Sequence, residues 1–243
     1  TDSNGYQRIG FASEPLSQIL YSEGSSTGWT SSQVRGSIDL LYPIDVHVDS
    51  NDLTNLIYVD DVEHMVQLAT YDSSWSTLDL INTTIGDDFD SLWLDDSRIL
   101  LAQIAPLNNS TALQVIEFDA PNATGIRNYT TSNIAIASTA SVLEIEMVNE
   151  TTIGLAWMDA DRLKIAERKI DGGNWDVVED TWLLNTTTGR NMAMDGGNII
   201  FDSNGTMEGS LFRDIGSNNG TNWTYYSFDV PDTTSSFEYL VHE

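Results

Sequence analysis

Apolar and polar residues alternate with a period of two in short runs along the whole chain. Clusters of Gly, Asn, Asp and Ser interrupt the runs roughly every 8 to 12 residues, a pattern that predicts short β-strands joined by tight turns. One set of runs opens on isoleucine: Ile9-Gly-Phe-Ala12, Ile57-Tyr-Val59, Ile99-Leu-Leu-Ala102, Ile153-Gly-Leu-Ala-Trp157 and Ile199-Ile-Phe201. A second set follows each of these: Gln18-Ile-Leu-Tyr21, Val66 to Tyr71, Leu113 to Phe118, Leu163 to Glu167 and Ser210 to Arg213. A third set covers 43–49, 88–95, 141–148, 189–195 and 236–243. No stretch carries helical periodicity with end caps.

The runs repeat as units. Trp29, Trp75, Trp175 and Trp223 each follow a turn cluster and open a further alternating run, at spacings of 46, 100 and 48 residues. The double gap is halved at Gly125, which follows a similar cluster. Five units of four strands predict a single all-β domain over 1–243, a five-bladed β-propeller with four-stranded blades. The blades read as 6–41 plus 236–243, 43–81, 88–133, 141–184 and 189–230. The chain opens one strand short and closes on a lone strand, so 236–243 is expected to complete the first blade, closing the ring and removing two exposed sheet edges. The four tryptophans are expected at equivalent places, packed partly between blades. The alternative is a β-sandwich, which shows the same short alternating strands.

The turn-then-Trp pattern, as in Ser217-Asn-Asn-Gly-Thr-Asn-Trp223 and Asp171-Gly-Gly-Asn-Trp175, resembles the Asp-box blades of sialidase-like propellers. The resemblance covers the blade layout along most of the chain. The box itself, Ser-x-Asp-x-Gly-x-Thr-Trp, is complete in no unit, and the arginine triad of the sialidases has no counterpart among the eight arginines. The resemblance therefore implies a fold and no activity.

Composition bears on the setting. The chain carries 37 acidic against 10 basic residues, a net charge of −27, with Asp in excess of Glu and only two lysines, Lys164 and Lys169. Such a surface repels itself in dilute buffer and is screened in molar salt, where the Debye length falls to about 3 Å. It also disfavours nucleic acid and anionic membranes as partners, since both need a basic patch. There is no cysteine, hence no disulfide framework. Asn-x-Ser/Thr sequons occur at Asn82, Asn108, Asn109, Asn122, Asn128, Asn149, Asn185, Asn204, Asn219 and Asn222. Chance predicts about four from this composition, so the excess points to a glycosylating export route and N-linked glycans. An acidic, lysine-poor, cysteine-free glycoprotein looks like a haloarchaeal or haloarchaeal-virus surface protein. No signal peptide or apolar run of membrane-spanning length is present, so direct membrane insertion is not expected.

Candidate chemistry is sparse. Asp45, Asp90, Glu144, Glu146 and Glu238 fall on the inner strands, where a glycosidase would place its two carboxyl groups. The inner strands end on Asp49, Asp95, Asn149, Asp195 and Glu243. Asp49, Asp95 and Asp195 are accordingly candidate ligands for a structural cation such as Ca²⁺. The competing reading is that these side chains bond the backbone of their own turns, and a glycan on Asn149 would conflict with a closed ring. No cofactor is required. His47 and His242 fall on neighbouring inner strands and His64 elsewhere, with no third metal ligand in sight.

These features predict an extracellular recognition or display module in a high-salt setting: a spike, adhesin, receptor-binding head or appendage decoration. It would sit on a cell or virion surface within a larger assembly, with a protein or surface glycan as its partner. The alternative is a secreted glycoside hydrolase or lyase using the inner-strand carboxylates.

Overall fold

The computed structural model describes residues 2–13, 16–36, 44–60, 65–82, 89–107, 110–119, 129–136, 140–159, 162–182, 190–203, 206–214 and 222–227. Among these residues there are nineteen strands and five antiparallel sheets. Sheet one holds β1 (Gln7–Ser13), β2 (Gln18–Ser25) and β3 (Gly28–Gly36). Sheet two holds β4 (Asp45–Val48), β5 (Thr54–Asp60), β6 (Met65–Tyr71) and β7 (Trp75–Asn82). Sheet three holds β8 (Phe89–Asp95), β9 (Arg98–Leu107), β10 (Ser110–Asp119) and β11 (Tyr129–Ile136). Sheet four holds β12 (Ala140–Asn149), β13 (Thr152–Asp159), β14 (Arg162–Lys169) and β15 (Gly172–Trp182). Sheet five holds β16 (Arg190–Asp195), β17 (Asn198–Ser203), β18 (Thr206–Asp214) and β19 (Asn222–Ser227). Within each sheet the strands follow chain order, each pairing with the next through a hairpin or short connection.

The predicted strands and their grouping into consecutive sheets match this order. The isoleucine-led runs are the second strands of sheets two to five and the first strand of sheet one, and each strand begins one to three residues earlier than its isoleucine. Sheet one has three strands, and segment 236–243, expected to complete it, lies outside the described residues, as does Gly125.

Every described core cluster lies between two consecutive sheets. Ile19 and Tyr21 of sheet one meet Leu56, Tyr58 and Ala69 of sheet two. On the other face of sheet two, Ile57, Val59, Val66 and Leu68 meet Phe89, Ile99, Leu101, Ile116 and Phe118 of sheet three. Leu100, Ala102 and Leu113 of sheet three meet Leu143, Leu155 and Trp157 of sheet four. Ala156, Met158 and Ile165 of sheet four meet Met192, Met194 and Ile199 of sheet five. Successive side chains point to opposite faces of a strand, so a sheet buried on both faces needs an apolar residue at nearly every position. β13 is buried over all but its last residue, and β5 from end to end, with apolar Leu56 to Val59 flanked by buried Thr54, Asn55 and Asp60.

The first strands of sheets two to five lie side by side along one edge of this stack: β4 touches β8, β8 touches β12, and β12 touches β16. β1 of sheet one touches β4. Glycine allows the closest approaches. A Cβ on Gly10 would stand 2.6 Å from Leu56 of the next sheet, and one on Gly154 would stand 2.6 Å from Met194.

Trp29 departs from expectation. It is 48% exposed and lies over Gly24 of the adjoining strand, on the face of sheet one turned away from sheet two, with Ile9 and Phe11. Trp75 and Trp175 are half-buried as expected, and the side chain of Trp223 lies outside the described residues.

Close packing between sheets leads to a first test. Gly154→Val should destabilise the protein by about 1–3 kcal/mol through overpacking against Met194 and Val148. Chemical denaturation of the variant against the parent measures it.

Candidate functional site

Of the acids expected on the inner strands, Asp45, Asp90 and Glu144 are brought within electrostatic reach of one another. Asp45 on β4 pairs in register with Ile57, Asp90 on β8 with Ala102, and Glu144 on β12 with Ala156. Each therefore sits at the same height above its own hairpin turn. An edge strand leaves alternate N–H groups without a ladder partner, and these carboxyls take them up across the sheet boundary. Asp45 accepts the Ser91 N–H of the next sheet at 2.9 Å. Asp90 accepts the Ile145 N–H of the sheet after that at 2.7 Å. Asp90 also accepts the Ser91 N–H, at 2.8 Å, so one nitrogen lies within hydrogen-bond distance of two carboxyl groups from two sheets.

Their ionisation is shifted accordingly. Burial, then the charge of Asp45, then that of Glu144, pushes Asp90 well above the usual carboxylate range. Burial raises Asp45 as well, against its hydrogen bonds to Ser91. Glu146 is raised by burial, with the charge of Asp195 adding to it. Glu238 lies outside the described residues.

The carboxylates of Asp49 and Asp95 are engaged in their own turns. Asp49 accepts the N–H groups of Asn51 and Leu53, both at 2.9 Å. Asp95 accepts the Ser97 N–H at 2.8 Å and pairs with Arg98 at 3.1 Å. Asp195 is exposed, and its backbone carbonyl accepts the Asn198 amide. Among the described residues no three His, Asp or Glu side chains gather closely enough to hold a metal ion. His47 stacks on Trp93 with ring centroids 4.4 Å apart, and burial pulls its imidazole below the usual value against Asp96 and Asp49. His64 and His242 lie outside the described residues. Of the sequons, Asn82 ends β7, Asn149 ends β12 and Asn222 opens β19, while the other seven asparagines lie outside the described residues.

A second cluster, not anticipated from the sequence, lies between sheets three and four. Arg168 on β14 buries its guanidinium, with 7% of its side chain exposed, and donates Nη1 to Glu117 of β10 at 2.9 Å. Its charge lies over the Trp175 ring, 5.3 Å from the centroid. Arg98 stands alongside, 3.9 Å from Glu117, and donates to the Ile170 carbonyl at 3.1 Å. Three buried donors here lack a hydrogen-bond partner in the protein: Arg168 Nε and Nη2, and Trp175 Nε1. The interface between sheets one and two repeats the residue types, and Arg8 Nε there is likewise buried without a partner in the protein. There the Tyr21 hydroxyl donates to Glu23 at 2.9 Å and meets Thr54 at 3.2 Å, its ring meets Trp75 edge-on, and Arg8 bonds Thr54 and Asp2.

No protein-family model and no curated protein sequence matches the chain. Solved structures do. The fucose-specific lectin of Aleuria aurantia, described as a six-bladed β-propeller, aligns over 94% of this chain and 76% of its own at 13% identity, with a TM-score of 0.60. The α-L-arabinanase of Penicillium chrysogenum, solved with arabinobiose, aligns over 93% and 78% at 10% identity, with a TM-score of 0.52. A functionally unknown protein from Desulfotomaculum acetoxidans aligns over 92% and 67% at 11% identity, with a TM-score of 0.55. The chain has a β-propeller fold.

In propeller terms, the carboxyls of Asp45, Asp90 and Glu144 belong to the innermost strands of blades two to four, and the Arg168 cluster lies between blades three and four. A carboxyl raised in the folded state binds its proton more tightly than in the unfolded chain. Its contribution to stability is therefore full at low pH and is lost as pH climbs from the ordinary Asp value towards the raised one. Between those limits, stability should fall with rising pH more steeply in the parent than in Asp90→Asn. Denaturant unfolding across pH 4 to 8 reads the difference, and parallel curves would remove Asp90 from this role.

Proposed function

We propose that the chain is an extracellular, glycosylated recognition module that binds carbohydrate in the clefts between neighbouring blades. The observation that carries this reading is the Arg168 cluster. A buried N–H without a partner costs about 1–3 kcal/mol, more beside a charge, and three of them lie together around one guanidinium and one indole. Oxygen atoms satisfy them, and adjacent sugar hydroxyls supply oxygens as acceptors from Arg168 and Trp175 and a proton donor to Glu117. The lectin among the similar structures, solved with fucosides, supports the class of ligand. On this reading the module is a spike, adhesin, receptor-binding head or appendage decoration, soluble in brine through its carboxylates and glycans. Its ring has five blades, closed by 236–243 pairing along the free edge of β1.

Hydrolysis is the second reading, and one observation favours it. Asp45 and Asp90 both reach the Ser91 N–H, and Asp90 is the more strongly raised, the separation of roles an acid and a carboxylate need. The arabinanase adds fold-level support. Against it, Asp45 and Asp90 both accept backbone N–H groups across blade boundaries, as bonds that join blades do.

A saccharide array probed in molar salt tests binding, and the same sugars monitored for cleavage test hydrolysis. Arg168→Met should weaken binding at least tenfold, equivalent to about 1.4 kcal/mol, with the melting temperature reporting that the variant is folded. Turnover abolished by Asp90→Asn would establish the second reading instead. The melting temperature of the parent should also climb from low to molar salt as carboxylate repulsion is screened; a flat curve would remove the high-salt setting. Deleting 236–243 should expose the inner edge of blade one and cause aggregation, and a deletion that stays monomeric and equally stable would refute closure.

A further inference from the structure

We propose that Asn149 carries an N-linked glycan, and that this glycan stands at the rim of the cleft between blades three and four. The second half rests on the carbohydrate-binding reading above, the first does not. Asn149 is the last residue of β12 and pairs with Thr152 across the two-residue turn Glu150–Thr151, and Asn149 and both turn residues are exposed. Its side-chain oxygen accepts the Thr151 N–H at 2.9 Å and the Thr151 hydroxyl at 3.1 Å. The sequon is thus held with its hydroxyl on its own amide. The oxygen is engaged, and the Nδ2 atom belongs to an exposed side chain at a hairpin tip.

The neighbouring blades sharpen the point. Asp49 and Asp95 hold the same place at the end of their inner strands, and each caps its turn by accepting the N–H two residues on. The Ser97 hydroxyl also donates to Asp95, as the Thr151 hydroxyl does to Asn149. Capping alone is therefore served by a carboxylate, and the amide at 149 adds the one atom a carboxylate lacks, a nitrogen that accepts a sugar. In the transfer, Nδ2 bonds to the anomeric carbon of a lipid-phosphate-linked oligosaccharide. The bond from that carbon to the phosphate oxygen breaks, the phosphate leaves with its electron pair, and one amide proton passes to a base. A host transferase supplies donor and base, and nothing is oxidised or reduced.

The position is set by contacts that lead from the sequon to the cleft. The Thr151 carbonyl accepts the Ile170 N–H at 3.0 Å, and the Ile170 carbonyl accepts Arg98 Nη1 at 3.1 Å. Arg98 lies 3.9 Å from Glu117, which holds Arg168. A glycan rooted at Asn149 starts from the hairpin that packs on this cluster, and it narrows the range of ligands that reach it.

The test is glycopeptide mass spectrometry of the chain exported from a salt-tolerant host with N-glycosylation, beside Asn149→Asp. That variant keeps the turn cap, as Asp49 and Asp95 show, and cannot be glycosylated. The expected result is a glycan mass on the peptide containing Asn149, absent from the variant, with saccharide binding by the variant changed at least threefold. A bare Asn149 with other sequons occupied overturns the attachment site. Ten bare sequons beside a modified control protein overturn it together with the glycoprotein reading. A glycan at Asn149 with unchanged binding leaves the attachment and overturns the rim position. Absence of saccharide binding in both forms removes the carbohydrate reading and leaves the mass result to stand on its own.

Discussion

Burial of both faces of a sheet is the constraint on which the rest of this structure depends. Sheets two to four each have a neighbour on either side, so alternate residues of one strand serve two different cores. On β5, Leu56 and Tyr58 belong with sheet one, and Ile57 and Val59 with sheet three. The apolar area is contributed in small parcels, strand by strand, and no element provides a core of its own. Small residues then set how near two sheets come, which is why Gly10 and Gly154 face side chains of the next blade at contact distance.

Polar groups are organised by the same stacking. An inner strand has a neighbour in its own sheet on one side only, and its spare N–H groups are taken up by carboxyls of the preceding blade, Asp45 to Ser91 and Asp90 to Ile145. Burying acids this close together keeps Asp90 protonated to higher pH than an ordinary aspartate. At the hairpin ends a different economy holds. Asp49, Asp95 and Asn149 cap their own turns, and Asp96 accepts the Ser50 N–H of the previous hairpin. Much of the acidity at this face is thus structural before it is anything else.

The contacts between blades carry polar clusters as well as apolar ones. Their apolar part comes from strand alternation, and the polar part between sheets three and four comes from Arg98, Glu117, Arg168 and Trp175. Between sheets one and two, the Tyr21 hydroxyl bonds Glu23 and Thr54 and Arg8 bonds Thr54, while Arg8 Nε is buried without a partner in the protein. Around Arg168, between sheets three and four, three buried donors are left over.

The sequence by itself determined the strands, their antiparallel grouping and the repeating unit. Alternation and turn chemistry are local properties, legible from Ile57-Tyr-Val59 or from the turn before Trp75 without knowledge of any neighbour. It also placed Asp45, Asp90 and Glu144 on inner strands, and Asp49, Asp95 and Asn149 at hairpin ends, because position within a repeat survives in residue number. It did not place Trp29, whose run looked like those of Trp75 and Trp175, because exposure depends on what packs against a face and not on the face. Nor did it single out Arg98, Glu117 and Arg168. These come from different strands of two blades, 19 and 51 residues apart from Glu117, and no local pattern records that they meet. Only the stacking of sheets decides which guanidinium finds a carboxylate across a cleft and which is left with donors to spare, because that pairing is set by distance between blades and not by distance along the chain.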